Sequence, residues 1–159
     1  MKILLWTKPP GNLLDEAISF VTHGAVCHAG FMRDNGRIVE AVPPHIRERE
    51  LTEADRPFIR AFELHGMTAE LDAAFEREFD RVLAAPPQYS GEDLFGFLFN
   101  ARNTNEQRTF CSRFVMHAIM RVCPRELWPL VRCNVDGTDS DWVSPRDLMI
   151  SPNLVDTDL

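Results

Sequence analysis

Residues 27 to 41 read CHAGFMRDNGRIVEA. Two short apolar runs flank Asp34-Asn35-Gly36, a turn signal between segments of strand-forming residues, so the stretch reads as a β-hairpin. Its register decides where two polar residues, His28 and Glu40, end up. If Asn35-Gly36 is a two-residue loop, Asp34 faces Arg37, His28 pairs with Pro43, and Glu40 lies opposite Phe31 on the other face. If Asp34 and Asn35 form a type I turn with Gly36 as a left-handed bulge, Arg33 faces Arg37 and Gly30 faces Glu40. His28 and Glu40 are then diagonal neighbours on one face, roughly 7–8 Å apart at the backbone, a gap that an imidazole and a glutamate side chain bridge. The carboxylate then holds the tautomer and orientation of the ring. On the hairpin alone, a hydrogen-bonded core histidine with Glu40 reaching solvent at a sheet edge is an equally good reading.

Outward from the hairpin, punctuation organises the rest of the chain. Lys2 to Trp6 reads as a strand closed by Lys8-Pro9-Pro10-Gly11, and Leu13, Leu14, Ala17, Ile18 and Val21 then recur at helical spacing. Pro57 to Leu64 supplies another strand. Thr68 caps a helix whose stripe is Leu71, Ala74, Phe75, Phe79, Val82 and Leu83, ending before Ala85-Pro86-Pro87. A second helix is expected over Glu92 to Phe99, a polar loop over Asn100 to Arg108, and a third helix from Cys111 to Val122. Trp142-Val143-Ser144-Pro145 opens a last short segment, and Ser151 to Leu159 reads as a loose polar tail. This order is neither regular βαβ nor all-helical, which predicts an α+β fold with a mostly antiparallel sheet.

Composition narrows the function classes. The 159 residues, 45% of them hydrophobic, suffice for one domain with a real core. A formal charge of −7 opposes the positive field that phosphate backbones require, so nucleic acid is not the expected partner. No segment reaches membrane-spanning length, and the apolar run before Thr7 is too short for a signal-peptide core, so a cytoplasmic protein is expected, with delivery by a phage or a secretion system left open. The four cysteines, Cys27, Cys111, Cys123 and Cys133, include no CxxC pair. Free thiols are expected, and no cofactor. His23, Cys27 and His28 lie close in sequence, but strand alternation points Cys27 and His28 to opposite faces and no further ligand follows at a recognised spacing, so no metal site is expected.

A third stretch, RTFCSRFVMHA at residues 108 to 118, adds chemistry to the hairpin. Cys111 falls where a polar loop becomes a helix, so its sulfur lies beside unpaired amides of the first turn, an environment that favours the thiolate. A nearby imidazole, itself oriented by a third polar group, completes the logic of an activated cysteine nucleophile. A small buried hydrophobe is the alternative role for Cys111, and the expected one for the other three cysteines.

His28 in a strand, Glu40 in the next strand within VEA, and Cys111 within FCSRFV at a helix start together resemble the circularly permuted NlpC-type, papain-like cysteine hydrolases, the group that includes YiiX-like proteins. In ordinary papain-like enzymes the cysteine helix precedes the histidine strand; here the order is reversed. The resemblance runs from Lys2 to Leu148 and is sharp in two blocks of about a dozen residues. It implies one permuted papain-like domain over 1-150, followed by a polar tail over 151-159. It implies Cys111 as nucleophile, His28 as general base and acid, Glu40 as the group that orients His28, and Tyr89 as a residue lining the substrate pocket, although Tyr89 also reads as an ordinary half-buried turn residue after Pro86-Pro87-Gln88. The chain departs from the pattern at its start, where Met1-Lys2-Ile3 stands in place of a frequent Gly-Asp.

The implied activity is that of a thiol hydrolase, a peptidase or amidase of small or cell-wall-type peptides. Other permuted relatives, similar to lecithin:retinol acyltransferase, handle lipid acyl esters or thioesters, and an amine or alcohol in place of water gives acyl transfer. Leu94, Phe95, Phe97, Leu98 and Phe99 fit an acyl pocket, and fit a buried helix at least as well. An inactive papain-like module that binds a peptide, lipid or protein is the reading from another class.

Overall fold

Ile3, Leu4, Leu5 and Trp6 make an unbroken apolar run because their strand lies inside a sheet covered on both faces. The computed structural model describes residues 1–7, 25–90, 108–129 and 143–159. Its strands are β1 (Lys2–Thr7), β2 (Val26–Met32), β3 (Arg37–Val42), β4 (His45–Glu50), β5 (Ile59–Leu64), β6 (Gln88–Tyr89), β7 (Arg108–Thr109) and β8 (Leu154–Thr157). They form one sheet in the order β7-β6-β4-β3-β2-β1-β5-β8, antiparallel throughout except for the short β6–β7 pair. Among the described residues the helices are α1 (Ala69–Ala84), α2 (Cys111–Val122) and α3 (Pro145–Met149). The α+β class and the mostly antiparallel sheet are those that the sequence predicts. None of the described helices is long and apolar enough to cross a membrane. The helices expected around 13–21 and 92–99, residues 100–107 of the loop expected up to Arg108, and His23 and Cys133 lie outside the described residues, while Arg108 opens β7.

The β2–β3 hairpin takes the three-residue loop. The Arg33 amide donates to the Arg37 carbonyl at 2.8 Å, and the Gly36 amide to the Arg33 carbonyl at 2.9 Å. Gly36 sits at φ +79°, left-handed backbone that a glycine adopts without a Cβ clash. Asn35 Oδ1 accepts from the Arg37 amide at 3.0 Å. In the resulting register Gly30 stands opposite Glu40.

One face of the sheet carries the main core. Ile3, Leu5, Phe31, Val39 and Phe62 meet Phe75, Phe79, Phe114, Val115 and Ile119 from the helices. Phe31 is the hub, with ring centroids 5.7, 5.0 and 5.5 Å from Phe75, Phe79 and Phe114, so β2 is locked to α1 and α2 together. Thr68 caps α1 as its position predicts, its hydroxyl accepting from the Leu71 amide at 3.3 Å. Ser144 and Asp147 cap α3 reciprocally. On the opposite face a smaller cluster joins Leu4, Trp6, Cys27, Ile38, Ala61 and Phe110.

One strand has no counterpart in the sequence reading, and three local readings change. HIRERE, residues 45 to 50, is the strand β4: paired along β3, it buries Ile46 while its charged residues pair with Arg33, Arg37, Glu40 and Asp55. The segment Ser151 to Leu159 is not all loose tail, because β8 pairs with β5 from Ala61↔Thr157 to Leu64↔Leu154 and buries Leu154. The strand expected from Pro57 starts at Ile59, since Arg56–Phe58 form a 3-10 turn that a proline in its first positions favours. Finally, Cys27 does not alternate to the face opposite His28. The β1–β2 register shifts between Trp6 and Thr7, and at the resulting bulge Cys27 packs in the cluster of Trp6 and Ile38.

Candidate functional site

The adjacency of β2, β3 and β4 gathers polar side chains on the face that carries Trp6. His28 lies opposite Trp6, Gly30 opposite Glu40, and Glu40 opposite Arg47, with Arg49 two residues further along the same face. The Trp6 and His28 rings touch at a centroid distance of 4.9 Å and an interplanar angle of 55°, which fixes one side of the imidazole. Gly30 leaves space for the approach: a Cβ there would lie 3.2 Å from the Glu40 Cβ and 3.4 Å from Trp6.

His28 Nε2 lies 3.1 Å from Glu40 Oε2. The other carboxylate oxygen, Oε1, accepts from Arg47 Nε at 3.1 Å, Arg47 Nη2 at 2.8 Å and Arg49 Nε at 2.8 Å. A buried charge needs such partners, and the Glu40 side chain is 3% exposed. Burial alone would raise its pKa; the hydrogen bond and charge of His28, then the two arginines, hold it down at about 2. Glu40 is therefore a carboxylate throughout the neutral range, and His28 Nε2–H is the donor between them.

Cys111 comes to the same ring from α2. The chain reaches it through β7, whose Thr109 carbonyl accepts from the Ser90 amide at 2.9 Å, and through Phe110, an extended, buried N-cap without a side-chain capping bond. Cys111 is then the first residue of α2, a helix seated on β2. Its thiol comes close enough to the His28 ring to raise the proton affinity of the imidazole. With Nε2 held by Glu40, Nδ1 is the ring nitrogen left for the thiol. Burial would lower the pKa of His28, but the hydrogen bonds and charges of Cys111 and Glu40 outweigh it and push the imidazole up to about 10. The His28 side chain is 17% exposed and Cys111 2%. The buried Ser112 hydroxyl in the first turn of α2 has no hydrogen-bond partner among the described residues.

The structure thus brings His28, Glu40 and Cys111 together. Tyr89 stands on β6 opposite Thr109, two residues before Cys111, and packs against the cluster that holds Trp6 and Phe110. As a strand residue of β6 its amide donates to the Pro44 carbonyl at 2.8 Å, and it lines a cavity of about 570 Å³ with Pro44, His45, Pro86 and Gln88. A cavity of about 720 Å³ runs between α1 and α2 past Thr109, Phe114, His117 and Arg121; neither Cys111 nor His28 lines it. Of the other described cysteines, Cys123 is pushed up to about 11 by burial, and Cys27 Sγ lies 3.5 Å from the Trp6 carbonyl.

Sequence reasoning missed Arg47, Arg49 and Trp6 as members of the site. The two arginines have a visible signal, an Arg-x-Arg on one side of a strand, but its meaning depends on which strand becomes the neighbour. Trp6 reads as core, and is core, while also stacking on His28.

No protein-family model matches the chain, and no curated protein matches it in sequence. Among solved structures, the crystal structure of metalloprotein YiiX from Escherichia coli O157:H7, assigned to DUF1105, superposes with a TM-score of 0.69. The match covers 99% of this chain and 94% of that one at 17% sequence identity. That protein is described as a metalloprotein; among the described residues here no three side chains of His, Cys, Asp or Glu converge as a metal ion would require. His28 is hydrogen-bonded to Glu40 instead, and the second oxygen of Glu40 is already taken by two arginines. Across nearly its whole length the chain is similar in fold to the YiiX structure.

Proposed function

We propose that this protein is a cysteine-nucleophile hydrolase of the permuted papain-like kind, a cytoplasmic peptidase or amidase of small or cell-wall-type peptides. One hydrolase domain over 1-150 carries the activity, with the C-terminal strand as its edge. The observation that carries the reading is the His28 ring, shared between Cys111 on one side and Glu40 on the other.

In this mechanism the Cys111 proton already rests on His28 Nδ1, and the thiolate attacks the carbonyl carbon of the substrate. Amides of the first turn of α2, with no side chain capping them, face the developing oxyanion. The imidazolium returns its proton to the leaving amine, the C–N bond breaks, and a thioester remains. Neutral His28 then takes a proton from water, the hydroxide attacks the thioester, and the acid leaves as the thiolate and imidazolium are restored. Glu40 keeps Nε2–H pointed inward at every step, and Trp6 backs the ring. Tyr89 belongs to the substrate side of this proposal, at the cavity beside Pro44.

A panel of peptide amides, acyl esters and thioesters tests the reading. Turnover of amides that Cys111→Ala abolishes without unfolding the protein supports it; full activity of Cys111→Ala overturns it. Cleavage of the esters and thioesters alone moves the substrate class to lipid acyl groups. One observation favours a second reading: Cys111 is 2% exposed, and a thiol closed to substrate suits a papain-like module that binds without cutting. Ligand binding that is indifferent to Cys111→Ala, with no turnover, decides for it.

A further inference from the structure

Arg49 does more than neutralise Glu40. Its guanidinium bridges two carboxylates: Nε donates to Glu40 Oε1 at 2.8 Å, while Nη1 and Nη2 donate to Asp55 Oδ2 and Oδ1 at 2.6 and 3.0 Å. Nη1 also donates to the Glu50 carbonyl at 3.0 Å, so four of the five guanidinium hydrogens are committed. Asp55 is itself anchored, its Oδ2 accepting from the Thr52 amide at 2.9 Å and the Thr52 hydroxyl at 2.7 Å. Arg47, by contrast, touches Glu40 alone in this network and is 51% exposed, against 24% for Arg49.

Resting on the thiol-hydrolase reading, we propose that Arg49, clamped by Asp55, is a positioning residue that fixes the Glu40 carboxylate so that Oε2 stays on His28 Nε2. The fork-to-carboxylate geometry at Asp55 sets the angle of the guanidinium plane. That plane pins Oε1, and pinning one oxygen of a planar carboxylate fixes the other. The turn Thr52-Glu53-Ala54-Asp55 thereby reaches the reacting thiol through four side chains of alternating charge: Asp55, Arg49, Glu40 and His28. Among the described residues the titratable and charged groups in this row are Cys111 from α2, Glu40 from β3, Arg47 and Arg49 from β4, and Asp55 beyond it.

Alternating charge gives the proposal a test that a purely structural role would not satisfy. The proton affinity of His28 is measured by NMR titration of its ring in the wild type, Arg49→Gln, Arg49→Lys and Asp55→Asn, with Cys111 alkylation rates taken on the same samples. Removing the Arg49 cation relieves repulsion of the imidazolium and moves the His28 midpoint up; removing the Asp55 anion moves it down. Each shift is roughly half a pH unit, the size of a partly screened charge at this range. Arg49→Lys keeps the charge and loses the fork, so the midpoint stays within about 0.2 units while Cys111 alkylation slows roughly fivefold. If Arg49→Gln fails to fold, Arg49→Lys and Asp55→Asn carry the test. Midpoints that do not move, or that move in the same direction in Arg49→Gln and Asp55→Asn, overturn the proposal, as does an Arg49→Lys protein that alkylates at the wild-type rate. Failure of the hydrolase reading has a separate signature: the midpoints shift as stated, but wild-type Cys111 reacts no faster than an ordinary thiol.

Discussion

Gly30 faces Glu40 directly across the β2–β3 ladder, and the missing side chain leaves room between the Glu40 Cβ and the Trp6 ring. A Cβ at Gly30 would stand 3.0 Å from the Val39 carbonyl oxygen, a backbone atom that cannot swing away. Gly30→Ala is therefore expected to lower stability by about 1–3 kcal/mol, an overpacking cost. It is also expected to displace Glu40 from His28. Urea unfolding measures the first effect, and the His28 ring resonance the second.

Glu40→Gln keeps the shape of the side chain and removes its charge. Two arginines then face a neutral amide, and the imidazolium loses its buried counter-ion. The expected cost is about 3 kcal/mol, at the low end for a broken buried pair because Arg47 reaches solvent. Turnover is expected to fall by roughly 10²-fold or more. A Glu40→Gln protein of wild-type activity would remove Glu40 from the site.

Stability should depend on pH in a defined way. The folded-state pKa of His28 lies above its usual 6.5, so its contribution is complete below pH 6.5 and is lost as pH rises toward about 10. The folded-state pKa of Glu40 lies below its usual 4.5, so its contribution is complete above that value and is lost as pH falls toward about 2. Urea midpoints are expected to fall between pH 6.5 and 10 in the wild type, with a flatter alkaline limb in His28→Ala. Equal slopes in the two proteins would contradict the assignment.

Leu154→Ala tests whether the end of the chain belongs to the fold. Leu154 is buried against the main core from the edge strand β8, while its neighbour Val155 is exposed. Leu154→Ala is expected to cost about 2 kcal/mol, and Val155→Ala within about half of one. Similar urea midpoints for both would mean that β8 contributes little.

How far the sequence discloses this arrangement depends on whether a signal is local. Asp34-Asn35-Gly36 marks the hairpin by its own turn chemistry but admits two registers, and only the three-residue loop puts His28 and Glu40 on one face. Thr68 and the stripe below it mark α1, and the change from polar loop to apolar helix marks Cys111. HIRERE hides a strand because five of its six residues are polar or charged, and what keeps Arg47 and Arg49 there is a carboxylate on the neighbouring strand. The bulge at Cys27 follows from pairing with β1, and β8 buries only one residue, too few for a period to show. The two-residue strands β6 and β7 have no pattern of their own.

Whether His28 and Cys111 act as a pair is read from the pH dependence of alkylation at each cysteine. Iodoacetamide, small enough for a buried thiol, is used on the wild type and on His28→Ala, with the modified peptides identified by mass spectrometry. Cys111 is expected to react far faster than Cys123 near neutral pH, where burial keeps Cys123 protonated, and His28→Ala is expected to erase the difference. A Cys111 that reacts like an ordinary thiol, or reacts equally well without His28, would contradict the pairing.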